Sequence, residues 1–158
     1  METPINQSTI IERQISALEP LAARLNDESD DLNRIISTIS EKLAALNLGI
    51  KVYDTSGTPY VKDSDDEDAE PHPRPGWFQY GFDKVDDKWQ LAIRTWCEAD
   101  PYIPNDQAGW AYDPLLSESR DSRIHGLVHL STIVDLLRAE AEDRLQALAE
   151  ARKLSSYL

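Results

Sequence analysis

The stretch that most constrains the fold runs from Trp77 to Trp96, two alternating segments that close on Asp86-Asp87. With those two residues as the loop, Phe82 faces Leu91, Tyr80 faces Ile93 and Phe78 faces Thr95 on one side of a β-hairpin. The other side carries Asp83 opposite Gln90, Gln79 opposite Arg94 and Trp77 opposite Trp96, a polar surface with an aromatic pair at its far end. A slip of one residue would mix the two sides, so the alternation selects this register.

A two-stranded ribbon is marginal in water, and the hairpin needs a further strand and a cover. Leu48, Ile50 and Val52 alternate with Gly49, Lys51 and Tyr53, which predicts a first strand and a three-stranded antiparallel meander over residues 48–97. The cover comes from the chain ends. Ile11, Ile15, Leu18, Ala22, Leu25, Leu32, Ile36, Ile39, Leu43 and Leu46 follow alternating spacings of four and three, with Ser29 as a polar member of the seam. Two readings of residues 5–47 are open. Unbroken heptad phase favours one long, coiled-coil-like helix kinked at Pro20, whereas Asn26, Asp27, Ser29, Asp30 and Asp31 offer the turn of a helical hairpin.

Residues 55–76 read as a mobile acidic loop, because few apolar groups and dense like charge cannot offset chain entropy. Its acids Asp63, Asp65 and Glu67 alternate as in a calcium loop, but Asp68 stands where that loop needs glycine and Arg74 where it needs glutamate. Residues 98–117 form a second irregular stretch, rich in aromatics and expected to pack on something. Ser119 to Ser122 offer caps for a short helix, Gly126 a bend, and Leu130, Val134, Leu137, Ala141, Leu145 and Leu148 the stripe of a final helix, giving helices over 119–154. The predicted class is a single α+β domain over 1–158, in which the C-terminal helix packs back on the N-terminal helix and the sheet.

Composition narrows the function classes. The 29 acidic residues against 16 basic ones give a formal charge of −13, which repels phosphate backbones and anionic lipid. Direct nucleic-acid and membrane binding are therefore disfavoured. A single cysteine, Cys97, excludes an internal disulfide and a thiolate zinc site, and it falls on the apolar side of the hairpin with Trp89, Leu91 and Ile93. With no basic leader at the N-terminus, the expected location is cytoplasmic.

No nucleophile elbow, phosphate loop or cofactor motif occurs, and no catalytic residue, metal ligand or cofactor is predicted. Asp121, His125 and His129 have metal-compatible helical spacing, but no glutamate follows His125 to serve as a base and Gly126 interrupts them. Two surfaces remain. Trp77, Gln79, Arg94 and Trp96, with Trp110 and Tyr112, have the composition of a protein-binding hot spot, unless the 98–117 segment folds over them. Ile11, Ile15 and Leu18 form the upper part of the helical seam, available for self-association into a dimer unless packed within the chain. The expected function is a non-catalytic protein–protein interaction module, an accessory, adaptor or inhibitor subunit. The alternatives are an acidic DNA mimic that occupies a nucleic-acid-binding protein and, behind it, a small metal-dependent enzyme using His125 and His129.

Overall fold

A computed structural model describes the backbone of residues 7–56, 58–62 and 74–155 and the side chains of residues 10–56 and 78–154. The chain divides into two compact units, with the boundary between Ile35 and Ile36. The secondary structure is α+β: a long N-terminal helix, an antiparallel sheet and C-terminal helices packed against it.

The first unit is helical throughout its described length. Helix α1 runs from Gln7 to Ala45 without interruption, 39 residues or about 58 Å, and includes Pro20. The hairpin reading is not realised. The residues that offered a turn, Asn26 to Asp31, stay helical, with exposed i,i+4 and i,i+3 ion pairs between Arg24 and Glu28 and between Arg34 and Asp31. Heptad period has prevailed over local turn preference.

The second unit opens on the last turns of α1, where Ile36 is completely buried. The helix stops in two tight turns, Leu46 N donating to Leu43 O and Asn47 N to Ala44 O, and Asn47 and Gly49 take the left-handed backbone of a helix terminus. Ser40 in this segment has a specific task. Leu91 lies one residue beyond the last pairing of its strand on that side, and its amide donates to Ser40 Oγ at 3.0 Å.

Among the described residues the sheet has five strands, not the three expected: β1 Val52–Tyr53, β2 Thr58–Lys62, β3 Arg74–Val85, β4 Lys88–Cys97 and β5 Gly109–Pro114. The predicted hairpin register is observed at every pair from Trp77↔Trp96 to Val85↔Lys88. Asp86 and Asp87 both have positive φ, 51° and 59°, the backbone of a type I′ turn whose twist suits the flanking strands. Strand β3 is longer than its partners, so β1 and β2 both pair along its outer edge, β1 at Gly81 and Phe82 and β2 at residues 74–78. Strand β5 extends the other edge by pairing with β4.

Three segments differ from the expected layout. The first strand is only Val52–Tyr53, because the left-handed Gly49 delays the extended run. Residues 58–62 and 74–76, placed in the acidic loop, are strand; the acidic run from Asp63 to Glu70 lies outside the described residues. Residues 109–114, placed in the aromatic loop, form β5 because β4 offers them a free edge.

The apolar side of the sheet presents Val52, Tyr80, Phe82, Leu91 and Ile93, all buried. Phe82 stacks on Trp89 at 5.6 Å. Helices α2, Arg120–Val128, and α3, Leu130–Ser155, cover this core together with the short 3-10 turn at Leu115–Ser117. Ser119 caps α2, its hydroxyl accepting from Ser122 N at 3.2 Å, as its sequence position predicts. Gly126 does not bend the chain. It lies inside α2, where an added Cβ would come within 2.6 Å of Leu115 and 3.2 Å of Tyr80, so its lack of a side chain permits close packing. The break falls at His129. In α3 the buried positions are Ile133 and Leu137, whereas Leu145 and Leu148 of the expected stripe are exposed. Periodicity identified the helix, but only packing on β1 and β3 selected which face and which length of it is buried.

Candidate functional site

The polar side of the sheet is where the predicted partner-binding residues meet. Antiparallel pairing sets Gln79, Arg94 and Tyr112 in one row and Trp77, Trp96 and Trp110 in the next. For Trp77 only the backbone register is described. The other five are joined by a residue the sequence reading did not include, Tyr53.

Tyr53 pairs with Gly81, and its ring packs close against that glycine: a Cβ on Gly81 would stand 2.5 Å from Tyr53 Cδ1 and 2.2 Å from Val52 O. The lack of a side chain at Gly81 permits this close approach. The hydroxyl donates to Asp83 Oδ2 at 3.0 Å, and Asp83 Oδ1 accepts from the Lys84 amide at 2.7 Å. Asp83 is buried, and these two donors satisfy an oxygen each. Burial, reinforced by the neighbouring Asp83 carboxylate, pushes the Tyr53 phenol far above its ordinary range, so it remains a donor at any working pH.

Arg94 also sits against the Tyr53 ring. Its guanidinium carbon is 4.2 Å from the Tyr53 ring centroid and 4.4 Å from that of Trp110. The cation therefore lies within cation–π range of two aromatic rings at once. Nε donates to Gln79 Oε1 at 2.8 Å, which fixes rotation in the plane. Trp110 meets Trp96 edge-on at 5.3 Å, and Tyr112 meets Tyr53 at 6.2 Å. Gln79, Arg94, Trp96 and Trp110 are half-buried, and Tyr112 is exposed. On this side of the sheet the 98–117 segment does not fold over the candidate residues: β5 lies beside β4, so Trp110 and Tyr112 enlarge the surface. Tyr102 and Ile103, from the same segment, are exposed.

A second cluster ties β1 to the α2–α3 break. His129 Nδ1 lies 2.6 Å from Asp54 Oδ2, and the His129 ring stacks on Tyr80 at 5.2 Å. Asp54 Oδ1 accepts from Ser56 N at 2.9 Å and Ser56 Oγ at 2.7 Å. Burial pushes the Asp54 carboxyl up, but the two Ser56 bonds and His129 outweigh it and hold the group below its ordinary value. The Ser56 hydroxyl is bonded to the carboxylate and not to the imidazole, whereas a nucleophile relay needs the imidazole to take the hydroxyl proton. The cluster reads as a structural clasp.

The metal constellation considered from sequence is not assembled. His125 Nδ1 pairs with Asp121 O at 2.9 Å, while His129 turns to Asp54. Among the described residues no group of three or more His, Cys, Asp or Glu side chains is placed to hold a metal ion. No helix among them is long and apolar enough to cross a membrane. Comparison with protein-family models, curated proteins and solved structures finds no match for this chain.

Tyr53 and Asp83 left partial signals. Tyr53 belonged to a predicted strand and Asp83 to the hairpin's polar side, but the pairing of β1 with β3 spans a long intervening segment and could not be counted from either end.

Proposed function

We propose that the protein is a non-catalytic interaction module, an accessory, adaptor or inhibitor subunit that captures another protein on the Arg94 face of its sheet. The observation that carries this reading is the half-exposed guanidinium held against Tyr53 and Trp110 and pinned by Gln79. Arginine and aromatic residues supply most of the energy at protein interfaces, and side chains already fixed lose little rotamer freedom when a partner arrives. Tyr112 and the Trp96 edge stand beside that cation and offer apolar contact area. Self-association through Ile11, Ile15 and Leu18, all exposed on α1, belongs to the same reading of an assembling protein.

The test is capture from host extract by the immobilised chain, compared with a Trp96→Ala/Tyr112→Ala variant whose melting transition is measured in parallel. A defined protein retained by the parent and lost by the folded variant supports the reading. An unchanged set of captured proteins refutes it.

A further inference from the structure

From the α1 seam we infer that two copies of this chain pair through residues 11–25 as a parallel, in-register coiled coil. This rests on the self-association reading above and adds its geometry. Ile15, Ala22, Ser29 and Ile36 occupy one core position of the heptad, and Ile11, Leu18, Leu25 and Leu32 the other. The seam divides sharply in its environment. Ser29 and Ile36 are buried, whereas Ile11, Ile15, Leu18 and Leu25 are 52–59% exposed and Ala22 is exposed with them. A period that stays in phase through an exposed stretch of helix is the pattern of an interhelical seam, because an isolated surface helix needs no such repeat.

Charge selects the direction in which a second copy pairs. Glu12 and Glu19 flank the seam on one side, and Gln14 and Leu21 on the other. Antiparallel pairing sets like flank against like flank. An alignment that packs Ile15 on Leu18 brings Glu12 against the other copy's Glu19, and one that packs Ala22 on Leu18 brings the two Glu19 side chains together. Parallel pairing sets unlike flanks together, Gln14 beside Glu19 and Leu21 beside Asn26, with no carboxylate facing another. Pro20 falls at the position that points away from the partner, so neither its ring nor the hydrogen bond it removes touches the interface. Both chains leave a parallel seam at the same end. One dimer then carries two Arg94 faces, and a partner with two matching epitopes would gain from the resulting effective concentration.

Sedimentation velocity of the full chain at tens of micromolar should give a dimer. Leu18→Glu should weaken association by about tenfold or more, because the new carboxylate is buried without a partner. Indole fluorescence from the sheet reports that this variant has folded. Direction is read with Cys97→Ser as background. On mild oxidation Ala22→Cys should cross-link two chains, since matching core positions of a parallel pair lie within disulfide reach, while Ala17→Cys on the outer face should not. A parent that is monomeric throughout, or a folded Leu18→Glu chain that remains dimeric, overturns the seam and the self-association reading with it. A dimer in which Ala22→Cys cross-links no faster than Ala17→Cys overturns the parallel geometry and leaves self-association standing.

Discussion

Replacing Arg94 by alanine removes a cation that contacts two rings, and the structure sets the scale of the loss. Each cation–π contact, at 4.2 and 4.4 Å, is worth about 0.5–1 kcal/mol at an exposed site and about 2 when desolvated; for a half-buried residue about 1 each applies. The Arg94 Nε–Gln79 bond adds about 1 kcal/mol, since it involves a charged donor but lies partly in water. Truncation releases side-chain entropy of about 1 kcal/mol, so the expected net destabilisation is about 2 kcal/mol. Urea denaturation followed by tryptophan fluorescence should show this as a lower midpoint with an unchanged slope. Arg94→Lys is the sharper arm. It keeps the charge but loses the planar surface and the Nε donor, so it should recover less than half of the difference. If Arg94→Ala cost under about 0.5 kcal/mol, or if lysine restored full stability, the double cation–π contact would be an incidental arrangement of surface groups and Arg94 would lose its place as a preorganised anchor.

Three further outcomes are expected. Gly126→Ala should destabilise by about 1–3 kcal/mol although alanine is the better helix former, because its Cβ would collide with Leu115 and crowd Tyr80; a stabilised variant in thermal melts would show that α2 can move off the sheet. The Asp54 carboxyl is held below its unfolded value, so its contribution is fully present above that value, near pH 4, and is lost as pH falls through the lower folded one. The stability gap between the parent and Asp54→Asn, measured in urea from pH 7 to pH 3, should therefore be constant at first and shrink at the acid end; a gap that widened there would reverse the assignment. Replacing Asp87 by glycine, at φ 59°, should stabilise the hairpin turn by about 0.5–1 kcal/mol, read as a rise in melting temperature.

What the chain alone determined is what depends on near neighbours. The hairpin from Trp77 to Trp96 was legible because a two-residue loop fixes the register of everything before and after it. The unbroken α1 was favoured by a period that local turn residues could not override, and Ser119 was recognisable as a cap from its position ahead of α2. The row of Gln79 and Arg94 followed from the same register; Trp110 and Tyr112 could be named from their composition but not placed, and Tyr53 was not named. The tertiary structure decided the rest. Residues 58–62 have weak strand character with a proline among them, and they pair because β3 presents an edge. Residues 109–114 do the same on β4, bringing Trp110 to Arg94. Tyr53 reaches Asp83 across 30 residues and His129 reaches Asp54 across 75, contacts that no periodicity encodes. The reason is common to all of them: a strand edge, or the space over a glycine such as Gly81, exists only once other elements have assembled around it, so pairing there is selected by fit and burial and not by the local preferences of the residues that fill it.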